Sequence, residues 1–401
     1  MNRRIRVAVV IPRYFPIFGG AENQCRTLCR ELQFTGRATV TYVLTKLVDP
    51  SSLRCETVDG ITVHRLGPRG LERWSHYAFY LSTLMRLIWT RSEYDVIHSH
   101  ASGLPGAFAT LAGLLARRPV ILKISTNGEL LRSHREGSAN SFSSALWRLI
   151  VRMTTRYANI VALNREGLDE AEAAGAKRAT IIENGVDVSV FRPPRSNERD
   201  ELRFRHAIPL NSNVLLFTGR FVRRKGIDVL AKAFELVLSG PAPSGLLLLL
   251  VGSDDLQVGS ANNAVEELAR HGRDRIRIIP PVRSPDEYLR LSDAFVFPSK
   301  REGMPNALLE ALATGLPCIV SDIAPHRELA LANPSAQFLF FRSGDPADLA
   351  RALREYMAAP KRQIGQPHLS DRHVIKTVAR QYAELYHRVT SPSNALSIHK
   401  T

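Results

Sequence analysis

Ten short apolar runs, falling into two series of five, constrain this 401-residue chain more than any other feature. The first series is VAVVI at 7–11, TVTYVL at 39–44, DVIHSH at 95–100, PVILKIS at 119–125 and NIVALN at 159–164. The second is VLLFTGR at 214–220, LLLLLVG at 246–252, RIRIIP at 275–280, AFVFPS at 294–299 and PCIVSD at 317–322. Amphipathic stretches of helical length alternate with them. A strand apolar on both faces belongs in a parallel sheet covered by helices on both sides, so the expected class is α/β with doubly wound, Rossmann-like sheets. Between the two series lies FRPPRSNERDELRFRHAIP at 191–209, Pro-rich, charged and turn-prone. The chain is too long for one ordinary core. It is therefore read as domains 1–190 and 191–370, with a last helical stretch in 371–401.

Composition narrows the function. No run of about 18 apolar residues is available for a membrane span. The start, MNRRIRVAVVIP, has basic residues before an apolar run but reads as a first buried strand rather than a leader, because the run is short, rich in Val and Ile, and stops at Pro12. Four cysteines (25, 29, 55 and 318) form no CxxC pair and have no clustered histidines, so neither zinc nor a disulfide framework is expected, and a reducing cytoplasm fits. The net charge of +16 attracts anions: nucleotides, nucleic acid or anionic lipid. It is spread evenly, with 25 Lys/Arg against 16 Asp/Glu in residues 1–190 and 29 against 22 beyond. Without an aromatic-rich RNA motif, zinc finger or basic tail, nucleic acid is disfavoured.

The segment PSKREGMPNALLEALATGLP at 298–317 carries the most chemistry. A Pro-Ser-x-x-Glu-Gly loop feeds a small-residue helix whose N-terminal N–H groups suit an anionic or hydroxylated ligand. Glu302 is expected in the loop and Glu310 about two turns into the helix, both turned to one side. After VLLFTGR, Arg220 ends a strand and Lys225-Gly226 opens a helix, so two cations meet at a strand's carboxyl edge and form a diphosphate site.

These motifs, Glu-x7-Glu with its flanking PS, EG and GLP, and Gly-Arg-x4-Lys-Gly, closely resemble glycosyltransferase family 4, whose members are retaining enzymes of the GT-B fold. The resemblance implies two Rossmann-like domains facing a cleft, with the C-terminal helix crossing back onto the N-terminal domain. It assigns the donor diphosphate to Arg220 and Lys225, which stabilise the charge on the departing nucleoside diphosphate. Glu302 is assigned a sugar hydroxyl and Glu310 the donor ribose. Backbone N–H groups of Gly303, Met304, Asn306 and Ala307 would cover the sugar and phosphates, and the base would lie against Val282. In the first domain Gly19-Gly20 resembles the family's glycine loop, whose adjacent glycines allow close approach and positive φ. His100 resembles the histidine that touches the donor sugar, with His98 a packed support.

Where relatives carry a histidine in the 123–130 stretch this chain has Thr126-Asn127-Gly128-Glu129, which makes Glu129 a candidate for acceptor binding. Asn184 and Gly185 are expected to shape a wall and Asp187 to cap a turn. No nucleophile can be named, and no metal or other cofactor is expected, because the cations take the metal's place. The one acidic pair, Asp254-Asp255, lacks Asp-x-Asp spacing.

The implied activity is transfer of a sugar from a UDP- or GDP-linked donor to an acceptor hydroxyl, in cell-envelope or extracellular polysaccharide or glycolipid synthesis. A polyprenyl-linked or other glycan is the expected acceptor. Two alternatives are a GT-B nucleotide-sugar epimerase and a non-catalytic nucleotide-sugar-binding protein. Two helical stretches, 73–92 and 143–159, are both basic and aromatic, and Arg148, Arg152 and Arg156 share a face beside Trp147. That face suits either an anionic membrane surface or a core helix with one solvated basic side. The first option makes the protein cytoplasmic and peripheral at the inner face of the membrane.

Overall fold

The computed structural model describes residues 4–17, 19–70, 72–125, 142–240, 245–252, 274–359 and 366–391. The chain forms two compact units, Met1–Gly185 with Ile375–Thr401, and Val186–Val374. The Pro-rich stretch 191–209 thus lies inside the second unit rather than at its border. Its charges hold it there: Arg203 reaches Asp293 at 2.8 Å, and Arg199 donates to the Ser292 carbonyl at 2.6 Å. The chain passes between the units at Gly185/Val186 and again at Val374/Ile375, where the Val186 N–H donates to the His373 carbonyl.

In chain order the first unit contains β1 (Arg6–Val10), α1 (Gly20–Phe34), β2 (Thr39–Lys46), β3 (Cys55–Val58), β4 (Ile61–Leu66), α2 (Arg73–Trp89), β5 (Val96–Ser99) and α3 (Gly103–Ala116). It continues through β6 (Val120–Lys123), α4 (Phe142–Tyr157), β7 (Asn159–Ala162), α5 (Arg165–Ala173) and β8 (Ala179–Ile181). The eight strands are ordered β3-β4-β2-β1-β5-β6-β7-β8, parallel except for the antiparallel β3–β4 pair. That hairpin turns at Asp59-Gly60, both at positive φ (51° and 78°), as a two-residue Asp-Gly turn requires.

Fully buried Val7, Val43, Val96, Ile121 and Val161 face one helical layer with Leu28 and Leu32 of α1. Ala8, Val10, Ile97, Leu122 and Ile160 face the other, with Leu87 of α2 and Ala109 and Ala112 of α3. This alternation of side chains between two cores is why the strands read as unbroken apolar runs.

The second unit contains α6 (Glu198–Arg205), β9 (Asn213–Thr218), α7 (Ile227–Leu238), β10 (Leu246–Val251), β11 (Ile276–Ile279), α8 (Asp286–Leu291) and β12 (Ala294–Phe297). It ends with α9 (Asn306–Thr314), β13 (Cys318–Ser321), α10 (Ala324–Ala332), β14 (Phe338–Phe341) and α11 (Pro346–Ala358). Its six strands run in the order β11-β10-β9-β12-β13-β14, all parallel. The last helix, α12 (Ile375–Thr390), returns to the first unit, where Val378, Tyr382 and Tyr386 join the core beside α1.

Candidate active site

In the second unit the chain starts in the middle of the sheet at β9, adds β10 and β11 on one side, and then crosses to β12, β13 and β14 on the other. Where strand order reverses, the helices leaving adjacent strands diverge and open a crevice at the carboxyl ends. The loops leaving β9 and β12 border that crevice, and they carry Arg220, Lys225 and Glu302.

Gly226 sets their spacing. It sits at φ 71°, and a Cβ there would lie 2.0 Å from the Pro298 carbonyl oxygen, so only glycine lets the two loops touch. The contact brings Lys225 Nζ to 2.7 Å from Glu302 Oε1, with the ammonium 5.0 Å from the centre of the Phe297 ring. Glu302 is buried, at 6% exposure. Burial alone would raise its carboxyl, but Lys225 and Arg224, with the hydrogen bonds from Lys225 and Ser299, outweigh it and hold it below the usual range. Burial in turn lowers Lys225, against the attraction of Glu302. Glu302 is therefore ionised at neutral pH.

Arg224, the neighbour of Lys225 in the basic run 223–225, is half-buried and belongs to this network, 3.7 Å from Glu302 Oε2 and donating to the Arg301 carbonyl at 3.1 Å. Beneath the pair, the Ser299 hydroxyl bonds Glu302, and Ser321 Oγ donates to the Ser299 carbonyl at 2.5 Å. His326 at the start of α10 places Nδ1 2.8 Å from the Ser321 carbonyl, its ring 5.5 Å from that of Phe297. Burial pushes its imidazole down to about 4, so it is neutral. Ser299, Ser321 and His326 were not singled out in the sequence, and Arg224 reads there, with Arg223, as an exposed, steering cation. The Ser of the Pro-Ser loop carried a signal; His326, alone in a helix, carried none.

Arg220 is exposed at the end of β9, close enough that its charge lowers Lys225 further. Glu310 is the exception to the grouping. Helix α9 begins only at Asn306, with Pro305 as its N-cap, so Glu310 lies about one turn in, not two. Its carboxyl makes no hydrogen bond or ion pair among the described residues, and burial, with Asp286 nearby, pushes it up to about 8. It is therefore mostly protonated at neutral pH and can both donate and accept. Gly303 and Met304 are buried in the loop, and Asn306 and Ala307 form the first turn of α9, whose N–H groups have no intrahelical partner. Val282 is half-buried in the loop leaving β11, the edge strand.

In the first unit strand order reverses between β1 and β5, and the loops leaving those strands hold Gly19-Gly20 and His100. The glycines do not use a left-handed conformation. Gly19 is the extended N-cap of α1 (φ −170°) and Gly20 its first residue, so their value is the lack of a side chain at the helix start. His98 and His100 are both buried, their ring centres 4.1 Å apart. His98 Nδ1 lies 2.8 Å from the Tyr386 hydroxyl of α12, and neither Nε2 has a partner among the described residues. Burial lowers both, His98 to about 3, so neither is charged.

Beside them lies a residue the sequence reading passed over, the buried Lys123. It donates to Asn184 Oδ1 at 2.7 Å and is brought down to about 8 by burial. Gly185 packs so closely on α12 that a Cβ would lie 2.8 Å from the Ile375 Cα. Asp187, in the second unit, accepts from the Ser189 N–H at 3.0 Å, as a turn cap does. Glu129, the Thr126–Glu129 stretch, Asp254-Asp255 and the Trp147 side chain lie outside the described residues. The four cysteines are free thiols.

Two doubly wound units, each with its candidate residues at a switch point, define the GT-B class of glycosyltransferases. Sucrose-phosphate synthase from Thermosynechococcus elongatus shares the fold, with a TM-score of 0.70 over 98% of this chain and 97% of that one, at 19% identity. The profile described as Glycosyltransferase Family 4 matches residues 18–190, and that described as Glycosyl transferases group 1 matches 212–359. The chain belongs to glycosyltransferase family 4. It is 25% identical over 310 residues to a putative teichuronic acid biosynthesis glycosyltransferase of Bacillus subtilis strain 168, covering 75% of this chain and 70% of that protein. It is also 25% identical over 336 residues, 81% of each chain, to the GDP-mannose:cellobiosyl-diphosphopolyprenol alpha-mannosyltransferase of Xanthomonas oryzae pv. oryzae.

Proposed function

We propose that this glycosyltransferase moves a sugar from a nucleoside-diphosphate donor, UDP- or GDP-linked, to a hydroxyl of a polyprenyl-linked glycan in cell-envelope polysaccharide or glycolipid synthesis, with retention at the anomeric carbon. The observation that carries the donor half is the buried Lys225–Glu302 pair beside exposed Arg220 at the switch point. Arg220 and Lys225 supply a fixed positive field for the two phosphates, and Glu302, with one oxygen engaged by Lys225, keeps acceptor capacity for a sugar hydroxyl. Glu310, neutral at pH 7, suits a ribose diol because it can give one hydrogen bond and take another. The names of the relatives favour an envelope glycan as acceptor.

In this reading the bond from the anomeric carbon to the diphosphate oxygen breaks as the acceptor oxygen bonds to that carbon from the same face. The departing phosphate oxygen takes the acceptor's proton. The growing charge on the diphosphate is what the cations stabilise, and no metal is required. The reaction belongs to the cytoplasmic side of the membrane.

A thermal-shift panel of UDP-, GDP- and ADP-sugars with EDTA present tests the donor site. A ligand at 100 times its Kd stabilises by about 2.7 kcal/mol. Arg220→Ala, at an exposed position, is expected to abolish the shift without lowering the unliganded melting temperature. An unchanged shift in that variant would remove the diphosphate site. Proton NMR of the product's anomeric coupling decides retention.

A further inference from the structure

Helices α2, α3 and α4 hold no acidic residue in their seventeen, fourteen and sixteen positions, yet carry Arg73, Arg86, Arg148, Arg152 and Arg156. α3 packs against both α2 and α4, so the three form one layer on the first unit. The outward side of that layer is apolar. On α2, Trp74 (60% exposed), Tyr77, Leu81, Met85 and Trp89 (74%) recur every three or four residues and make one stripe. Leu111 and Leu115 of α3, and Leu149 and Met153 of α4, are exposed as well. On α4 the exposed Arg148 and Arg152 each stand next to one of those apolar side chains. Arg156 is half-buried, so the face expected from spacing alone is two arginines wide and three helices broad. A core layer would have turned two tryptophans inward. A contiguous aromatic and aliphatic face of this extent on a surface marks an interaction site.

We propose that this face docks on an anionic phospholipid bilayer, with the α2 stripe at the headgroup–acyl boundary and the arginines against lipid phosphates. Tryptophan and tyrosine prefer that boundary, where an apolar body and a polar edge are both satisfied. Charge selects the occupant. A second copy would set arginine against arginine with no carboxylate in the three helices to answer them, whereas an anionic surface pairs with the exposed Arg73, Arg148 and Arg152. Glu72 and Glu93, at the two ends of α2, are outnumbered by exposed Arg69, Arg91 and Arg117 around them. The helices lie flat on the protein, and among the described residues none is long and apolar enough to cross the membrane, so the contact is interfacial. This docking stands on the surface alone and is independent of the acceptor proposed above.

The test is flotation of the full chain with vesicles of equimolar phosphatidylglycerol and phosphatidylcholine, against phosphatidylcholine alone, without donor or acceptor. The wild type is expected to float with the anionic vesicles at low salt and to be released at about 0.5 M salt, where screening shortens to a few ångströms. Each arginine near such a surface strengthens partition about fivefold. Arg148→Glu/Arg152→Glu is therefore expected to weaken it at least tenfold, and Trp74→Ser/Trp89→Ser by a similar factor. Phe204→Ser, which removes an exposed phenylalanine from α6 of the second unit, should change nothing. All variants alter exposed side chains, and their melting curves report that they fold. No flotation at low salt, equal loading of neutral vesicles, or wild-type partition in both double variants would overturn the proposal. So would a dimer in sedimentation that Trp74→Ser/Trp89→Ser converts to monomer.

Discussion

Replacing Lys225 by Met keeps most of the stem's packing on Phe297 but strands the Glu302 carboxylate in a buried site. At 2.7 Å and an effective dielectric of about 20, the direct attraction amounts to about 6 kcal/mol, part of which is offset by desolvation of both groups. Removing one partner of a buried pair costs about 3–5 kcal/mol, because the other charge remains without its counter-ion. For a unit of this size, that lowers the melting temperature by roughly 10 °C.

The pH dependence identifies the cause. In the wild type the Glu302 carboxyl is held below its unfolded value, so its contribution to stability is present above the unfolded value near 4.5 and is lost as pH falls through the folded one. In Lys225→Met burial dominates and raises that carboxyl, so the variant loses stability as pH rises from 4.5 upward. The gap between the two proteins should therefore be small at pH 4.5 and wide at pH 8. Adding Glu302→Gln should recover most of it, since an amide can keep the Ser299 contact without a charge. Denaturation of the four proteins of this cycle at both pH values is the assay. A Lys225→Met cost below about 1 kcal/mol at pH 8, the same at both pH values, or no recovery in the double variant would refute the reasoning. A loss of activity in a Lys225 variant thus mixes donor binding with stability, which is why exposed Arg220 is the cleaner probe of the donor.

Glu310 behaves in the opposite sense: its folded carboxyl is raised to about 8, so its contribution to stability is whole below 4.5 and declines as pH climbs to 8. Glu310→Gln should gain on the wild type by about 2 kcal/mol between pH 6 and 8, an upper bound because the side chain keeps some solvent contact, and parallel melting curves at both pH values would contradict this. Gly226→Ala must carry a left-handed φ, worth about 1–2 kcal/mol, and a clash with Pro298; Gly344→Ala carries a similar φ (81°) with nothing within 4 Å. Denaturant titration should find Gly226→Ala clearly the costlier, and equal costs would mean that the close approach of the two loops is not what the glycine is for.

Each of the ten predicted runs holds a strand, and those buried on both faces announced themselves as unbroken apolar runs; β11, an edge strand with Arg277 and Ile278 exposed, is the exception. Of those missed, β8 is three residues long at a sheet edge with a threonine at its centre, whereas β14 reads FLFF, an unbroken apolar run that the search passed over. The β3–β4 hairpin did carry a mechanism-based signal, Asp59-Gly60 between alternating residues, which a search for parallel strands passes over. The candidate site divides the same way. Lys225 and Glu302 were legible because their loops are local motifs, yet nothing local told that they bond each other, since that contact spans 77 residues and depends on Gly226 meeting Pro298. Arg224 looked like one more solvated cation in a basic run, and only the fold turns it toward Glu302. Spacing placed Glu302 and Glu310 as two like acids, and burial makes them unlike: one is ionised against cations, the other neutral for want of any. Two carboxyls of different protonation can meet two kinds of hydroxyl contact, one accepting only and one able to donate, a distinction that sequence spacing cannot encode because it is produced by what surrounds each group.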